Sequence, residues 1–187
     1  MKKSTSSSQN IVLGVCGGIA AYKACEIARL FVKNDFSVQV MMTSAAEKFV
    51  TAMTFQALTG HKVATDLFDL TQESEIGHIT MADQADLIVI APATADILAK
   101  AAHGFADNIV STVLLATKAP ILFAPSMNVN MIENPVTQDN IAKLKKRRHH
   151  FIDPTEGYLA CGWEGKGRLA EPEAVFAMAK KLIKGHP

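Results

Sequence analysis

Short apolar segments alternate along the chain with longer segments in which apolar residues recur at helical spacing. The short segments predict β-strands over residues 11–15, 36–42, 85–91, 120–124 and 151–152. The longer segments predict helices over residues 19–33, 45–58, 95–102, 108–116, 134–148 and 172–184. The polar residues 61–77 and the glycine-rich residues 155–170 are predicted to be irregular.

This order of elements predicts an α/β fold: a doubly wound parallel sheet in a three-layer, flavodoxin-like or Rossmann-like arrangement. Strands that are apolar throughout favour a parallel sheet, because such strands are buried on both faces. The chain shows no repeat or domain boundary, so we predict one domain over residues 10–187 after a disordered tail over residues 1–9. Ligands of such sheets bind beyond the carboxyl ends of the strands, where the strand order reverses.

Composition narrows the range of functions. With 19 basic and 18 acidic residues, the net charge of +1 gives no sign of a nucleic-acid or anionic-membrane partner. No apolar run reaches the roughly 18 residues needed to span a bilayer, and no signal peptide is visible. Cys16, Cys25 and Cys161 are too few and too widely spaced to predict a disulfide framework or a metal site. We therefore expect a cytoplasmic protein without a metal, whose 49% hydrophobic content permits a buried subunit interface.

The loops after the first two strands are candidates for holding a phosphate. Gly17 and Gly18 open a helix, and glycines there let the backbone approach an anion. The dinucleotide pattern G-x-G-x-x-G is missing, and no acid follows the second strand. A single phosphate, as in FMN, and a purely structural turn both remain open. Thr43 and Ser44 either cap the next helix or contact that phosphate.

The loops after the third and fourth strands carry small and amide side chains. Pro92 is expected to end the third strand and Thr94 to cap the next helix, while the neighbouring alanines leave room for a flat ligand. Asn128 offers amide donors for a carboxylate, or else forms a turn. A lone histidine such as His78 is either structural or catalytic. Glycine-rich residues 160–172 are typical of a lid, where nearby cations would lower the pKa of Cys161 and let it donate a proton.

Taken in order, these segments resemble the flavin-containing cysteine decarboxylases. The resemblance covers residues 9–184 and is carried by residues 17–23, 78–79, 91–96, 125–128 and 160–172. The last segment resembles the substrate-clamping loop of the phosphopantothenoylcysteine decarboxylases in particular. Other flavin-dependent cysteine decarboxylases and non-catalytic flavin-binding regulators are the alternatives within the family.

The resemblance implies that FMN binds without a covalent bond at a subunit interface of a homotrimer, alone or assembled into a dodecamer. It implies that 4′-phosphopantothenoylcysteine is converted to 4′-phosphopantetheine in coenzyme A biosynthesis, beside a ligase domain or protein that makes the substrate. Flavin oxidation of the substrate gives a thioaldehyde, loss of carbon dioxide gives an enethiolate, and re-reduction gives the product.

The resemblance also assigns residues to these tasks. His78 and Cys161 are the catalytic positions, and Asn128 holds the substrate carboxylate. The other substrate-binding positions are Met131, Gly162 and Arg168. The cofactor-binding positions are Gly17, Gly18, Ile19, Thr43, Ser44, Phe49, Pro92, Thr94, Ala95, Asp96 and Met127.

Overall fold

A computed structural model describes residues 8–68, 77–158, 162 and 164–185. The strands are β1 (Asn10–Val15), β2 (Ser37–Met42), β3 (Leu87–Ala93), β4 (Ile121–Pro125), β5 (His150–Phe151), β6 (Thr155–Tyr158) and β7 (Glu164–Arg168). The helices are α1 (Lys23–Lys33), α2 (Ala52–Thr59), α3 (Gly77–Gln84), α4 (Ala95–His103), α5 (Ile109–Ala116), α6 (Val129–Glu133), α7 (Pro135–Lys146) and α8 (Pro172–Lys184). Single 3-10 turns cover Ile19–Tyr22 and Ala46–Lys48.

Five parallel strands form the central sheet in the order β2-β1-β3-β4-β5. The chain runs outward from β1 to β2, then crosses back past β1 to add β3, β4 and β5. The strand order therefore reverses between β1 and β3, and the loops that follow these strands diverge there. The predicted doubly wound parallel sheet is confirmed.

Helices cover both faces of the sheet, which explains why the central strands β3 and β4 are apolar and buried at every position. Leu13 and its neighbours Ile11 and Val15 pack with α1, α2 and α8 on one face. Val12 packs on the other face, with α3, α4, α5 and α7. Burial on both faces of the strand leaves no position for a polar side chain.

The third strand continues through the proline that was expected to end it. Pro92 lies within β3, and the ladder resumes with Ala93 beside Pro125 after a shift of register from Ile90. A proline has no N–H to donate, so the ladder skips it at an irregularity and does not stop there.

Two further elements differ from the prediction. Residues 164–168 pair with residues 155–158 as an antiparallel hairpin, in a segment predicted to be irregular. Its glycines have little strand propensity, so the sequence hides the pairing. Gly77 begins α3, which places His78 on a helix. Only Met81 and Ala82 of α3 are buried, which leaves a weak helical pattern.

The remaining predictions concern the terminus and the environment of the protein. Residues 1–7 of the predicted tail lie outside the described residues, and the carbonyl of Gln9 accepts a hydrogen bond from the Ser37 N–H at 3.0 Å. None of the described helices is long and apolar enough to cross a membrane. Within the described ranges, no three histidine, cysteine, aspartate or glutamate side chains are grouped to hold a metal ion.

Candidate functional site

A cleft of about 880 Å³ opens at the carboxyl edge of the sheet, where the strand order reverses. The loops after β1, β2, β3 and β4 contribute its walls, and the end of β7 closes one side. The structure brings most of the predicted site residues together here: Gly17, Gly18, Ile19, Thr43, Ser44, Pro92, Thr94, Ala95, Asp96, Met127, Asn128, Met131 and Arg168.

Four predicted site residues are not placed in this cleft. Phe49 is exposed after the second 3-10 turn, and Gly162 is exposed near the β6–β7 hairpin. His78 is half-buried on α3. None of these three lines the cleft of its own chain. Cys161 lies outside the described residues.

The cleft also contains polar residues that the sequence analysis did not select. Lys23, Lys100, Asp107, Asn108 and Ser126 all line it. The sequence predicted that a helix starts at Asn108. This position at a helix start, after the α4–α5 turn, was the signal that could have identified Asn108 as a residue of the cleft. Lys23 lies in the segment 17–23 that carries the resemblance but was not selected, and Lys100 gave no sequence signal, because a lysine on a helix is ordinarily a solvated side chain.

Gly17 lets the loops after β1 and β2 approach each other closely. A Cβ atom built on Gly17 would lie 2.4 Å from the Ala45 Cβ and 2.7 Å from the Ala45 carbonyl carbon. A Cβ built on Gly18 would meet nothing within 4 Å. Gly17 is therefore required by packing, whereas Gly18 leaves open space on the cleft side.

We expect Gly17→Ala to destabilise the protein by about 1–3 kcal/mol, because the added methyl group forces two backbone loops apart. Gly18→Ala is the matched control and should change the free energy of unfolding by less than about 0.5 kcal/mol. Urea unfolding of both cofactor-free variants measures the difference. Equal stabilities would show that the two loops separate without cost.

Local hydrogen bonds orient the threonines that line the cleft. Thr43 Oγ1 accepts from the Ala46 N–H at 3.2 Å, and Thr94 Oγ1 accepts from the Ile97 N–H at 3.4 Å. Thr94 is thus the N-cap of α4, whereas Thr43 makes a turn hydrogen bond at the start of the short 3-10 segment; both residues line the cleft. Cys16 packs beneath them, and burial raises the pKa of its thiol to about 12, so it is a neutral packing residue at pH 7.

Backbone hydrogen bonds fix the β6–β7 hairpin against the loop after β4. The Gly167 carbonyl accepts from the Met127 N–H at 3.0 Å and from Ser126 Oγ at 3.3 Å. The Ser126 N–H donates to the Ala93 carbonyl at 3.0 Å. These contacts tie three segments together and bring Arg168 to the cleft.

Asn128 caps the short helix α6 from the cleft wall. Its Oδ1 accepts from the Asn130 N–H at 2.8 Å, which fixes the orientation of the amide. A carboxylate ligand would have to accept from the Nδ2 group, because Nδ2 is the donor end of this side chain. Met131 follows on α6 with 47% of its surface exposed, and it supplies an apolar wall.

Lys100 of α4 pairs with the segment that leads into α5, and both line another wall of the cleft. Its Nζ lies 2.9 Å from Asp107 Oδ2 and 3.3 Å from Asp96 Oδ2. Asp107 Oδ1 accepts from Asn108 Nδ2 at 3.0 Å and from Ser111 Oγ at 3.2 Å. The hydrogen bond to Lys100 lowers the pKa of Asp107, and the same bond raises the pKa of Lys100.

Lys100→Met should therefore change how stability depends on pH. Because the folded-state pKa of Asp107 is depressed, its pairing stabilises the protein above the ordinary aspartate pKa of about 3.9 and is lost as the pH falls through the folded pKa. The free energy of unfolding of Lys100→Met should lie below that of the wild type at pH 7, and the difference should shrink in acid. Lys146→Met, which changes an exposed lysine of α7, is the control. If the difference in free energy of unfolding between the wild type and Lys100→Met stayed constant with pH, the pairing of Lys100 with Asp107 would be contradicted.

The lining of the cleft suits a flat ring that carries a polar chain. Ile19 and Met131 present exposed apolar surface, and Gly17, Gly18, Thr43 and Thr94 line the cleft with them. No acidic side chain follows β2 at Thr43 and Ser44, where a dinucleotide ribose would need one. The residues present therefore fit a flavin mononucleotide better than a dinucleotide.

Comparison with known proteins identifies the family. A family model described as Flavoprotein matches residues 1–184. The chain belongs to the flavoprotein family. Membership of this family makes a flavin the class of cofactor for this chain.

The coenzyme A biosynthesis bifunctional protein CoaBC of Bacillus subtilis is 49% identical to the chain over 175 residues, which are 94% of this chain and 43% of that protein. The chain spans less than half the length of the curated relatives it matches. A mutant PPC decarboxylase complexed with pantothenoylaminoethenethiol shares its fold, with a TM-score of 0.84 and 26% identity over 95% of this chain and 100% of that one. The FMN-dependent cysteine decarboxylase SpaF gives a TM-score of 0.82 and 27% identity over 97% of this chain and 100% of that one.

Proposed function

We propose that this chain is an FMN-dependent decarboxylase that converts 4′-phosphopantothenoylcysteine to 4′-phosphopantetheine and carbon dioxide in coenzyme A biosynthesis. The observation that carries the proposal is the cleft, which unites Asn128, Met131 and Arg168 with the glycine turn at the reversal of strand order. The similarity to bifunctional coenzyme A biosynthesis proteins and to a PPC decarboxylase supports this substrate.

We propose that FMN lies against the loops after β1, β2 and β3. The backbone around Gly17 and Gly18 would hold its phosphate together with the hydroxyl of Ser44, and Ile19 and Met127 would pack against its ring. A bound flavin supplies reversible two-electron exchange with the carbon–sulfur unit of the substrate, which turns that unit into an electron sink for the departing carboxylate.

The side chains of the chain bind the substrate and move its protons. Asn128 holds the carboxylate through Nδ2, in the orientation that its cap to Asn130 fixes. His78 takes the proton from the substrate thiol, since a neutral imidazole is a base suited to neutral pH. Cys161 returns a proton to carbon after carbon dioxide has left. Cys16 cannot replace it, because burial raises the pKa of the Cys16 thiol to about 12.

We propose that the active unit is a homotrimer, alone or within a dodecamer, with one domain per chain over residues 10–187. His78 lies outside the cleft of its own chain, so a neighbouring subunit would bring it to a cleft. Exposed apolar side chains on and beside α3 and α5, namely Ile79, Phe105 and Leu115, suit burial in such an interface. A phosphopantothenate–cysteine ligase domain or protein would supply the substrate, as the bifunctional relatives suggest.

The test begins with an absorbance spectrum of the purified protein. 4′-Phosphopantothenoylcysteine is then added without oxygen, and carbon dioxide and 4′-phosphopantetheine are measured. A yellow protein that forms both products is expected. A colourless protein that cannot be loaded with FMN would overturn the cofactor, and a yellow protein inert to this substrate would overturn the substrate.

A peptide ending in cysteine belongs in the same assay. The likeness to SpaF, an FMN-dependent cysteine decarboxylase, favours other cysteine carboxylates as the second candidate class of substrate, and this peptide represents that class. Faster decarboxylation of the peptide than of 4′-phosphopantothenoylcysteine would replace the first candidate by the second.

A further inference from the structure

Charge is unevenly distributed along the cleft. The charged side chains among its described lining residues are Lys23, Asp96, Lys100, Asp107 and Arg168. At one end Lys100 is paired with two carboxylates, which leaves a net charge of −1. At the other end Lys23 and Arg168 share one carboxylate, that of Glu171, which leaves a net charge of +1.

Glu171 holds the two cations together from behind the cleft. Lys23 Nζ donates to Glu171 Oε2 at 2.9 Å and to Oε1 at 3.1 Å. An Arg168 guanidinium nitrogen lies 3.7 Å from the same Oε1. The Lys23 side chain is only 17% exposed, so its ammonium group is held at the cleft wall and does not extend into solvent.

The hairpin fixes the position of Arg168. Its side chain crosses Gly157, where a Cβ atom would lie 2.8 Å from a guanidinium nitrogen and 3.2 Å from Cδ. The φ of +143° at Gly157 also disfavours any residue with a side chain. Gly157 thus leaves room for the guanidinium to lie against the strand. The resulting pair of cations comes from α1 and β7, two elements far apart in the sequence.

We propose that Lys23 and Arg168 form a subsite for a phosphate monoester. Such a group carries close to two negative charges at pH 7, so it is attracted to the end with net positive charge and repelled from the end with two carboxylates. A lysine supplies a compact charge and an arginine a planar pair of donors, and both bind phosphate oxygens well.

Two ligands of the proposed function carry this chemical group: the cofactor FMN, and the substrate 4′-phosphopantothenoylcysteine, which keeps its phosphate in the product 4′-phosphopantetheine. The proposal rests on the proposed function for the identity of these ligands. Each has a natural analogue that lacks only the phosphate, riboflavin for FMN and pantetheine for 4′-phosphopantetheine. A comparison within each pair isolates the contribution of the phosphate, because any general damage to the cleft weakens both members equally.

The test measures the binding of all four ligands to Lys23→Met, which removes the charge and keeps the length of the side chain. FMN and riboflavin are titrated into cofactor-free protein by fluorescence quenching, and the pantetheine pair by calorimetry. We expect Lys23→Met to weaken one phosphorylated ligand by about tenfold or more, and its phosphate-free analogue by less than about twofold. Lys23→Arg, which keeps the charge, should restore most of the binding.

Lys146→Met is the control for charge, since it removes an exposed cation of α7 that does not line the cleft. It should leave the ratio within each pair unchanged. If Lys23→Met loses affinity for FMN alone, the subsite belongs to the cofactor. If it loses affinity for 4′-phosphopantetheine alone, the subsite belongs to the substrate. If Lys23→Met changes neither ratio, the proposal is overturned. An inert protein in the decarboxylation assay would overturn the proposed function without touching these binding ratios.

Discussion

Replacing His78 with asparagine is expected to lower the rate of decarboxylation by about 10²–10⁴-fold, the usual contribution of general acid–base catalysis. Asparagine has a similar size and can hydrogen bond, but it cannot take a proton from the substrate thiol at neutral pH. FMN should remain bound, since Gly17, Gly18 and Ser44, the residues proposed to hold its phosphate, are unchanged. The fold should persist, because α3 is anchored by the buried Met81 and Ala82 and not by His78.

The measurement is product formation without oxygen, together with the flavin absorbance spectrum and the melting temperature of the same sample. His61→Asn is the matched control, because His61 is exposed after α2 and lies outside the cleft. It should behave like the wild type in all three measurements. If His78→Asn turned over substrate at the wild-type rate, the base would have to be another group.

Continuous burial made the sheet predictable from the sequence. The apolar run Leu87–Ile90 is buried on both faces, so its pattern indicates a strand before any contact is known. The topology of parallel sheets then places the following loops at one edge. That is why Gly17, Thr94 and Asn128, far apart in the chain, were assigned to a common site.

Elements held by backbone contacts were harder to predict. The β6–β7 hairpin contains Gly157, Gly165 and Gly167, and it is positioned by the bonds from Ser126 and Met127 to the Gly167 carbonyl. None of these features produces an alternating pattern of apolar side chains. The strand was therefore assigned to a loop, although its end residue Arg168, which was selected as a candidate, does line the cleft.

The charged lining of the cleft depends on tertiary contacts that no local pattern records. Lys23 meets Glu171 across 148 positions of sequence, and Lys100 meets Asp107 across the α4–α5 turn. Each lysine alone is typical of a solvated helix. These lysines can be recognised as part of the site only when the sheet has brought the helix ends to one edge. This explains why the sequence analysis selected Arg168 but not Lys23, which pairs with the same carboxylate of Glu171.

Asn128→Asp is expected to lower kcat/KM by about 10²–10³-fold, while it leaves the fold intact. Aspartate keeps the oxygen that caps the Asn130 N–H, so α6 should start as before. It removes the Nδ2 donor and places a negative charge against the substrate carboxylate. A hydrogen bond to a charged group is worth about 1.5–3 kcal/mol, and the like-charge repulsion adds to its loss.

The product provides a decisive comparison, because 4′-phosphopantetheine has lost the carboxylate. Calorimetry should show that Asn128→Asp binds the product about as well as the wild type does. Asn130→Asp makes the same change of charge two residues away, at an exposed position outside the cleft, and should keep normal turnover. Equal loss in both variants would mean that a negative charge anywhere near α6 is harmful and that Asn128 has no special contact with the carboxylate.

The two variants together test whether the site is shared between subunits. If His78 acts on a neighbouring cleft, a trimer mixed from His78→Asn and Asn128→Asp chains contains some sites with both residues intact. Random mixing of equal amounts gives about a quarter of such sites, so about a quarter of wild-type activity should return from two nearly inactive proteins. If His78 acted on the cleft of its own chain, every site would lack one residue and mixing would restore nothing.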